Sequence, residues 1–504
     1  MIERQIVSVD EMRQLDKLTL DNLNITSFEL MYQAGTVCFR HLFNNGIISF
    51  SDSILIIAGT GNNGGDSLVI GHHLIEAGMS PTFLIIGEAD KQTLESKEIV
   101  NKIKSKDFLI NRCQSESDLE EAMDIINSSS LIIEGIFGIG LSKTVTSYQE
   151  VIIDMINDSY AKKVSIDIPS GISAYNGLVM GTAIKADYTC VIQNYKQGNL
   201  LNDALDFSGK MILLDIGILQ NIFPEKHELL QLAHIKNKII KRKHNTYKYS
   251  YGDVVTIGGN KGMMGAPIMA AYSALRTGSG LSRVFFNEKT IKYIQNPYPE
   301  LMIDTFTCVE DIHTMTLKKS AIIFGPGLGR VNPEYEEILH YLLSTDIPLI
   351  IDADGLYYFK KIMTKFTDRD DITITPHYKE MADLLDVTVD EVKKNPVQFA
   401  KTIADQYNIT VVLKGTCTLI VNSFETFYSI NGNPGLATAG TGDVLSGIIG
   451  SLIGQDYTPM VASKYGVLIH SLAGQYAADF HGEESMIATD LIHFIKDVMK
   501  YAKS

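Results

Sequence analysis

Residues 53–67 read SILIIAGTGNNGGDS: a short apolar run, then four glycines, two asparagines and one aspartate within the nine residues 59–67. An apolar run of this length that stops at glycine suits a buried strand, and the residues from Asp66 to Ala77 have helical character. Strand, glycine-rich turn and helix are the opening of a βαβ unit. Such a turn leaves the first N–H groups of the helix free to face an anion. The pattern G-x-G-x-x-G fits Gly59, Gly61 and Gly64, but glycine-rich turns occur in many α/β folds without a ligand. Asn62, Asn63 and Asp66 add amide and carboxylate oxygens, as a hard cation or a hydroxyl group would require. The same side chains would also serve as plain caps of the helix, and local chemistry leaves both readings open.

Working outward, the strand rhythm continues through PTFLII, SLIIE, KVSIDI and DYTCVIQ to KMILLDIGI near residue 218. Two helices precede it, each opening on an S/T-x-x-E capping box, Ser8 with Glu11 and Thr26 with Glu29. Residues 221–250 are charge-rich, include the basic cluster Lys241-Arg242-Lys243-His244 and lack the rhythm. It restarts with DVVTIGG, AIIFGPGLG, IPLIIDADG, ITITPH, ITVVLKG and TLIVN. Alternating short apolar runs and helices predict parallel sheets covered on both faces. At 504 residues the chain is too long for one ordinary core, so two α/β domains are expected.

Composition narrows the function. With 44 basic against 59 acidic residues the net charge is −15, which disfavours nucleic acid or an anionic membrane as partner and favours a small soluble substrate. The five cysteines are scattered without a CxxC pair, so neither a disulfide framework nor a zinc site is indicated. No apolar leader or membrane-length run is present, and the cytoplasm is the expected compartment.

Two further loops of the first half, EGIFGIGLSK (134–143) and DIPSG (167–171), also follow strands. Ligands of open α/β sheets collect at the carboxyl ends of strands, so the three loops are expected to converge. Asp167 taken alone reads as a structural turn aspartate. In order, and after two helices with ELMYQAG, these motifs resemble the epimerase domain of the NAD(P)H-hydrate repair enzymes. The resemblance spans 1–220 and implies a Rossmann-like three-layer αβα sandwich. It implies that Asn62, Asn63, Gly64, Gly65 and Asp66, with Gly138, Ile139, Gly140, Leu141, Ser142 and Lys143, bind the hydrated dinucleotide. Asn63, Glu134 and Ser170 would surround K⁺, and Asp167 would touch the substrate as acid and base. Two positions depart from the family pattern: Glu134 stands for an aspartate and Ser67 for a glycine.

In the second half the stretch NPGLATAGTGDVLSG (433–447) is the most informative. Gly440 and Gly442 free the backbone before a helix starting near Asp443, making a nest of N–H groups for a phosphoryl group, with Asp443 as base toward an attacking hydroxyl. GTGD before a helix resembles the anion hole of ribokinase-like folds, and no Walker A motif is present. With GPGLG (325–329), DADG (352–355), TPHYKE (375–380) and VVLKGTCTLI (411–420), the set resembles the dehydratase domain of the same repair enzymes. That domain is expected over 241–504, with 221–240 as a linker. The resemblance implies nucleotide contacts at Lys414, Gly415, Thr416, Cys417, Thr418 and Gly442. It implies hydrate contacts at Ala266, Gly327, His377 and Asp443.

The fusion of both halves implies ADP rather than ATP as co-substrate, and the resemblance implies Mg²⁺ on the phosphates and a homo-oligomer. Asp352 and Asp354 are candidate Mg²⁺ ligands or structural strand-end residues. The family's His-Lys-Gly run before the first strand is replaced by HNTYKYSYGDVV, so His244 and Lys248 receive no role. The expected function is epimerisation of the R and S hydrates of NADH and NADPH and dehydration of the S form. The alternatives are a ribokinase-like kinase of a vitamin-precursor alcohol and a non-catalytic Rossmann-like binding module.

Overall fold

Ile54–Ala58 form strand β1, in which every side chain is buried. Ile54, Ile56 and Ala58 pack on one face of a sheet with Met31, Ala34 and Leu68. Leu55 and Ile57 pack on the other with Ile126, Ile152 and Ile153. A strand with two apolar faces needs helices on both sides, which is why the run lacks polar alternation.

The computed structural model describes residues 6–220, 223, 225–294, 297–365 and 369–503. It divides into two units, Met1–Pro224 and Glu225–Ser504. In the first, β1 is joined by β2 (Thr82–Ile86), β3 (Asn111–Cys113), β4 (Leu131–Gly135), β5 (Lys162–Ile166), β6 (Tyr188–Ile192) and β7 (Lys210–Leu214). All pairings are parallel, in the order β3-β2-β1-β4-β5-β6-β7. Chain order reverses between β1 and β4, which are in register from Ile54↔Leu131 to Ala58↔Gly135. The crevice beyond their carboxyl ends is the place where an open sheet of this kind binds ligands. Both N-terminal capping boxes form, before the helices Val9–Leu23 and Ser27–Asn44.

The second unit holds β8 (Lys226–Leu229), β9 (Asp253–Ile257), β10 (Leu281–Asn287), β11 (Met302–Phe306), β12 (Ala321–Phe324) and β13 (Leu349–Ile351). It continues with β14 (Ile372–Ile374), β15 (Thr410–Leu413), β16 (Thr418–Val421) and β17 (Glu425–Ser429). The order is β11-β10-β9-β12-β13-β14-β15-β16-β17-β8, with the switch between β9 and β12. Among the described strands of this unit, only β16 runs antiparallel to its neighbours. One face is covered by the helices Thr441–Gly454, Pro459–His481 and Ala488–Tyr501, through Ile448, Ile449, Leu468 and Leu491.

The segment 221–240, expected as a linker, differs. Asn221, Ile222 and Pro224 lie outside the described residues, but β8 pairs in parallel with β17, and Ile235 and Ile239 are buried in the second core. An edge strand of four residues needs only one partner and little apolar content, so its sequence reads as a charged junction.

Candidate active sites

The loop after β1 approaches other backbone too closely for side chains. A Cβ on Gly59 would lie 1.8 Å from the Ile136 carbonyl oxygen, and one on Gly64 would lie 2.2 Å from that of Gly59. The helix Asn62–Glu76 then begins at Gly61 with no side-chain cap, so its first N–H groups remain available to an anion. Asn63 does not cap it. Its Nδ2 donates to the carbonyls of Phe137 (2.7 Å) and Ile166 (3.1 Å), tying together the loops after β1, β4 and β5.

These loops line a cavity of about 750 Å³. Asn62, Asn63, Asp66, Gly138, Ile139, Gly140, Leu141, Ser142, Lys143 and Asp167 all border it. Gly64 and Gly65 do not. Gly64 packs on Gly59, and a Cβ on Gly65 would lie 2.1 Å from Met31 Sδ, so their contribution is close packing. Ser67, in the place of a glycine, is accommodated by donating its hydroxyl to Gly64 O (2.9 Å).

Glu134 and Ser170 are hydrogen-bond partners, and Asn63 joins them only through the Phe137 carbonyl, to which both Asn63 Nδ2 and Ser170 Oγ donate. The fully buried Glu134 carboxylate accepts from Ile136 N–H (3.1 Å), Ser170 N–H (3.1 Å), Ser170 Oγ (2.5 Å) and Ser165 Oγ. A carboxylate has about four lone-pair positions, and these four donors occupy them. Burial pushes the Glu134 carboxyl up while the four donors pull it down. The carboxylate expected to hold K⁺ is thus engaged by chain donors, onto which the methylene that separates glutamate from aspartate carries it.

Asp167 follows β5 with φ of +66°, a strained left-handed conformation for a non-glycine residue. It is held there from several sides. Its N–H donates to Cys190 O (2.8 Å), its carbonyl accepts from Asn199 Nδ2 (3.1 Å), and its Oδ1 accepts from Ile192 N–H (3.0 Å) and the ammonium of Lys196. Lys196 is only 1% exposed and also donates to Ile192 O (3.0 Å). Two more carboxyls share this field. Burial, reinforced by Asp167, pushes Asp66 well above the usual carboxylate range, and burial pushes Asp16 up to about 6. Three carboxyls around one ammonium in a low-dielectric cavity cannot all ionise cheaply, so the cluster retains a proton near neutral pH. It therefore offers an acid and a base to the same cavity.

In the second unit the strand ends bring Asp352, His377, Lys414 and Asp443 together. Gly440, with φ of +94°, turns the chain into the helix Thr441–Gly454, which has no side-chain cap. A Cβ on Gly442 would lie 3.3 Å from Lys414 Nζ, so the ammonium lies against the uncapped turn. Lys414 donates to Asp352 Oδ1 (3.0 Å), and Ser446 Oγ donates to Asp352 Oδ2. Burial opposes the Lys414 charge, but Asp352 and Glu380 outweigh it and hold the ammonium above its ordinary value. Burial and the charge of Asp352 push Asp443 up to about 7, against the opposing pull of Lys414. A carboxyl that exchanges its proton near neutrality beside a bare helix N-terminus suits deprotonation of a hydroxyl as it attacks a phosphoryl group.

The remaining expected residues occupy three places. Gly327 (φ +64°) abuts Ala266 on the helix Gly265–Thr277, and one turn on, Met269 touches Gly440. His377 caps the helix Tyr378–Leu385, accepting from Glu380 N–H (3.1 Å), with its ring half-exposed. Gly415 and Thr416 follow Lys414 in the turn to β16, which Thr418 opens, with Gly415 against the Tyr378 ring. Cys417 differs: its side chain is fully buried, so only its backbone is left for a nucleotide.

Three participants escaped sequence reasoning. Lys196 belongs to no motif. Asp16 stands on the same helix stripe as the buried Met12 and Thr19, and a carboxylate on that stripe was its signal. His470 Nε2 meets Thr441 O at 2.9 Å, and burial pushes it down to about 4, so it is a neutral donor holding the anion turn.

Comparison with known proteins places both halves. A family model described as NAD(P)H-hydrate dehydratase matches residues 254–497, and one described as YjeF-related protein N-terminus matches 27–198. The chain is 31% identical to a bifunctional NAD(P)H-hydrate repair enzyme of Coxiella burnetii, over 96% of this chain and 97% of the relative. It is 30% identical to the enzyme of the same name from Moorella thermoacetica, over 98% and 96%. A solved ADP/ATP-dependent NAD(P)H-hydrate dehydratase from Bacillus subtilis, co-crystallised with ATP and Mg²⁺, is 26% identical with a TM-score of 0.48. It covers 54% of this chain and 98% of that one.

Proposed function

Because the chain belongs to the family of bifunctional NAD(P)H-hydrate repair enzymes, we propose that its two sites divide the repair between a proton-exchange cavity and a phosphoryl-transfer turn. The first unit interconverts the R and S hydrates of NADH and NADPH, and the second dehydrates the S hydrate.

In the first unit, Asn62 and Asn63, the bare turn of the helix Asn62–Glu76 and the 138–143 loop hold the dinucleotide. The proton retained among Asp16, Asp66 and Asp167 passes to the C6 hydroxyl, which leaves as water and returns on the other face of the ring. Asp167, paired with the Lys196 ammonium, accepts the proton released on return. The K⁺ that the resemblance implies does not fit Glu134, whose lone pairs are engaged by chain donors, and no step here uses it.

In the second unit the nucleotide lies along Lys414 to Thr418, with its terminal phosphoryl at the 440–442 turn. Asp443 removes the proton of the C6 hydroxyl as its oxygen takes that phosphoryl group. Phosphate then departs from C6 as a proton leaves C5, restoring the dihydronicotinamide. Lys414 and the backbone N–H groups hold the migrating charge. With ADP as donor the products are AMP and phosphate. Mg²⁺, when bound, neutralises phosphate charge. Asp352 is buried beneath Lys414, and Asp354 is engaged by Gly329 N–H and Arg330 Nε (both 2.9 Å), so the ion enters on the phosphates rather than on either aspartate.

The observation that carries this reading is the Asp443 carboxyl, pushed up to about 7 beside an uncapped helix and Lys414. Incubating the S hydrate with ADP should yield AMP, phosphate and NAD(P)H in equal amounts. A stable phosphorylated hydrate would instead indicate a kinase. Assembly into a homo-oligomer belongs to the same proposal and is read by light scattering on the eluting peak.

A further inference from the structure

At the opposite end of the helix Asn62–Glu76 from the first site, its last turn gathers His72, His73 and Glu76, whose ligand atoms all lie within 4.8 Å of one another. Glu76 Oε2 is 3.0 Å from His73 Nδ1 and 3.8 Å from His72 Nδ1. His72 is 7% exposed, and its Nδ1 has no hydrogen-bond partner, 3.8 Å being too long for one. A buried ring nitrogen without a partner is uncommon in a folded protein. Here it is aimed at a half-exposed carboxylate.

The protonation of His73 follows from its other neighbour. Thr36 Oγ1 lies 2.6 Å from Tyr32 O, which only accepts, so the single hydroxyl hydrogen is committed there. Thr36 Oγ1 must then accept at its 2.8 Å contact with His73 Nε2, so Nε2 carries the ring proton. A neutral His73 therefore presents the lone pair of Nδ1 to the Glu76 carboxylate, a contact that needs a cation between or beside the two. Either the ring is an imidazolium, or a metal ion takes both lone pairs and the orphan Nδ1 of His72 as well. Burial favours neutral His72, the ligating form, and the helix C-terminus is the end of the macrodipole that favours a cation.

We propose that His72, His73 and Glu76 form an exchangeable site for a divalent transition metal of the zinc type, with water completing the shell. Two imidazoles and one carboxylate suit Zn²⁺, Ni²⁺ or Cu²⁺ rather than Mg²⁺ or Ca²⁺. Half-exposed Glu76 gives the ion its way in. Thr36 fixes the His73 tautomer from the helix Ser27–Asn44, so the ion clips the two helices together. Along the helix the cluster is ten residues, about 15 Å, from Asn63, so the first repair step does not depend on it.

The test uses the tag-free, metal-stripped full chain in excess Mg²⁺. Zn²⁺ is titrated by calorimetry, and Co²⁺ is added as a spectroscopic probe. One tight Zn²⁺ per chain, visible Co²⁺ ligand-field bands, and a weakening of tenfold or more in His73→Asn and Glu76→Gln are expected. Glu76 lies on the accessible side, and both variants keep the buried His72 intact. His72→Ala should remove the bands, and Thr36→Val should weaken binding about tenfold through the lost tautomer control. Epimerase and dehydratase rates should stay unchanged in every variant. Equal Zn²⁺ isotherms for wild type and the His73→Asn/Glu76→Gln double variant, or no ligand-field bands in wild type, would overturn the proposal in favour of an imidazolium–carboxylate pair.

Discussion

Replacing the base of the second site should stabilise the unit that it disables. The Asp443 carboxyl is held at about 7, against an ordinary value of 3.8, by burial and by Asp352. Ionising it in the folded chain therefore costs about 4 kcal/mol relative to the unfolded chain, at about 1.4 kcal/mol per pH unit. Relaxation and partial solvation halve this to about 2 kcal/mol. The folded state binds this proton more tightly than the unfolded state, so its contribution to stability is fully present below pH 3.8 and is lost as pH rises through about 7. Asp443→Asn keeps the shape, loses the charge and escapes the loss. It should raise the melting temperature of the second unit by about 4 °C at pH 8. At pH 4.5 only about a quarter of that gain should remain. Calorimetry of the full chain measures it, with the transition of the second unit identified by its shift on adding nucleotide. A variant that melts at or below wild type at pH 8, or a gap equal at both pH values, would refute the reasoning.

The dehydration rate for the S hydrate should rise with pH to a plateau with a midpoint near 7, because only ionised Asp443 accepts the hydroxyl proton, and stopped-flow absorbance across pH 5.5–9 reads it. Lys196→Met strips Asp167 of its buried counter-ion, so epimerisation should fall at least ~100-fold while S-hydrate dehydration stays within about twofold. Replacing K⁺ by Na⁺ should alter epimerisation by less than about twofold, since the Glu134 carboxylate is saturated by chain donors. Glu134→Ala, which strands the Ile136 and Ser170 N–H groups, should cost the first unit roughly 3 kcal/mol in urea unfolding.

What the sequence revealed and what it hid differ by locality. GTGNNGGDS and AGTGD combine a strand end, glycines and one chemical group within a few residues, and both turns stand where they were expected. The glycines at 59, 64 and 440 are explained by close approach and a positive φ, which a sequence signals directly. Lys196 and His470 were hidden because each reaches its site from an element whose local pattern is unremarkable, and their roles arise only from topology. The Glu134 outcome was equally illegible. The exchange for aspartate was visible, but the four donors that take up the longer carboxylate, from Ile136, Ser165 and Ser170, come from the loop after β4, from β5 and from the loop after β5. Strand β8 was missed because an edge strand such as KHEL carries no apolar alternation.

The most direct test of the divided repair is recovery of dihydronicotinamide absorbance from a mixture of R and S hydrates with Mg²⁺ and ADP. Wild type should restore both shares. Asp167→Asn should restore the S share at the normal rate and the R share only slowly, and Asp443→Asn should restore neither. No recovery by wild type with either ADP or ATP, or equal loss of both shares in Asp167→Asn, would contradict the account.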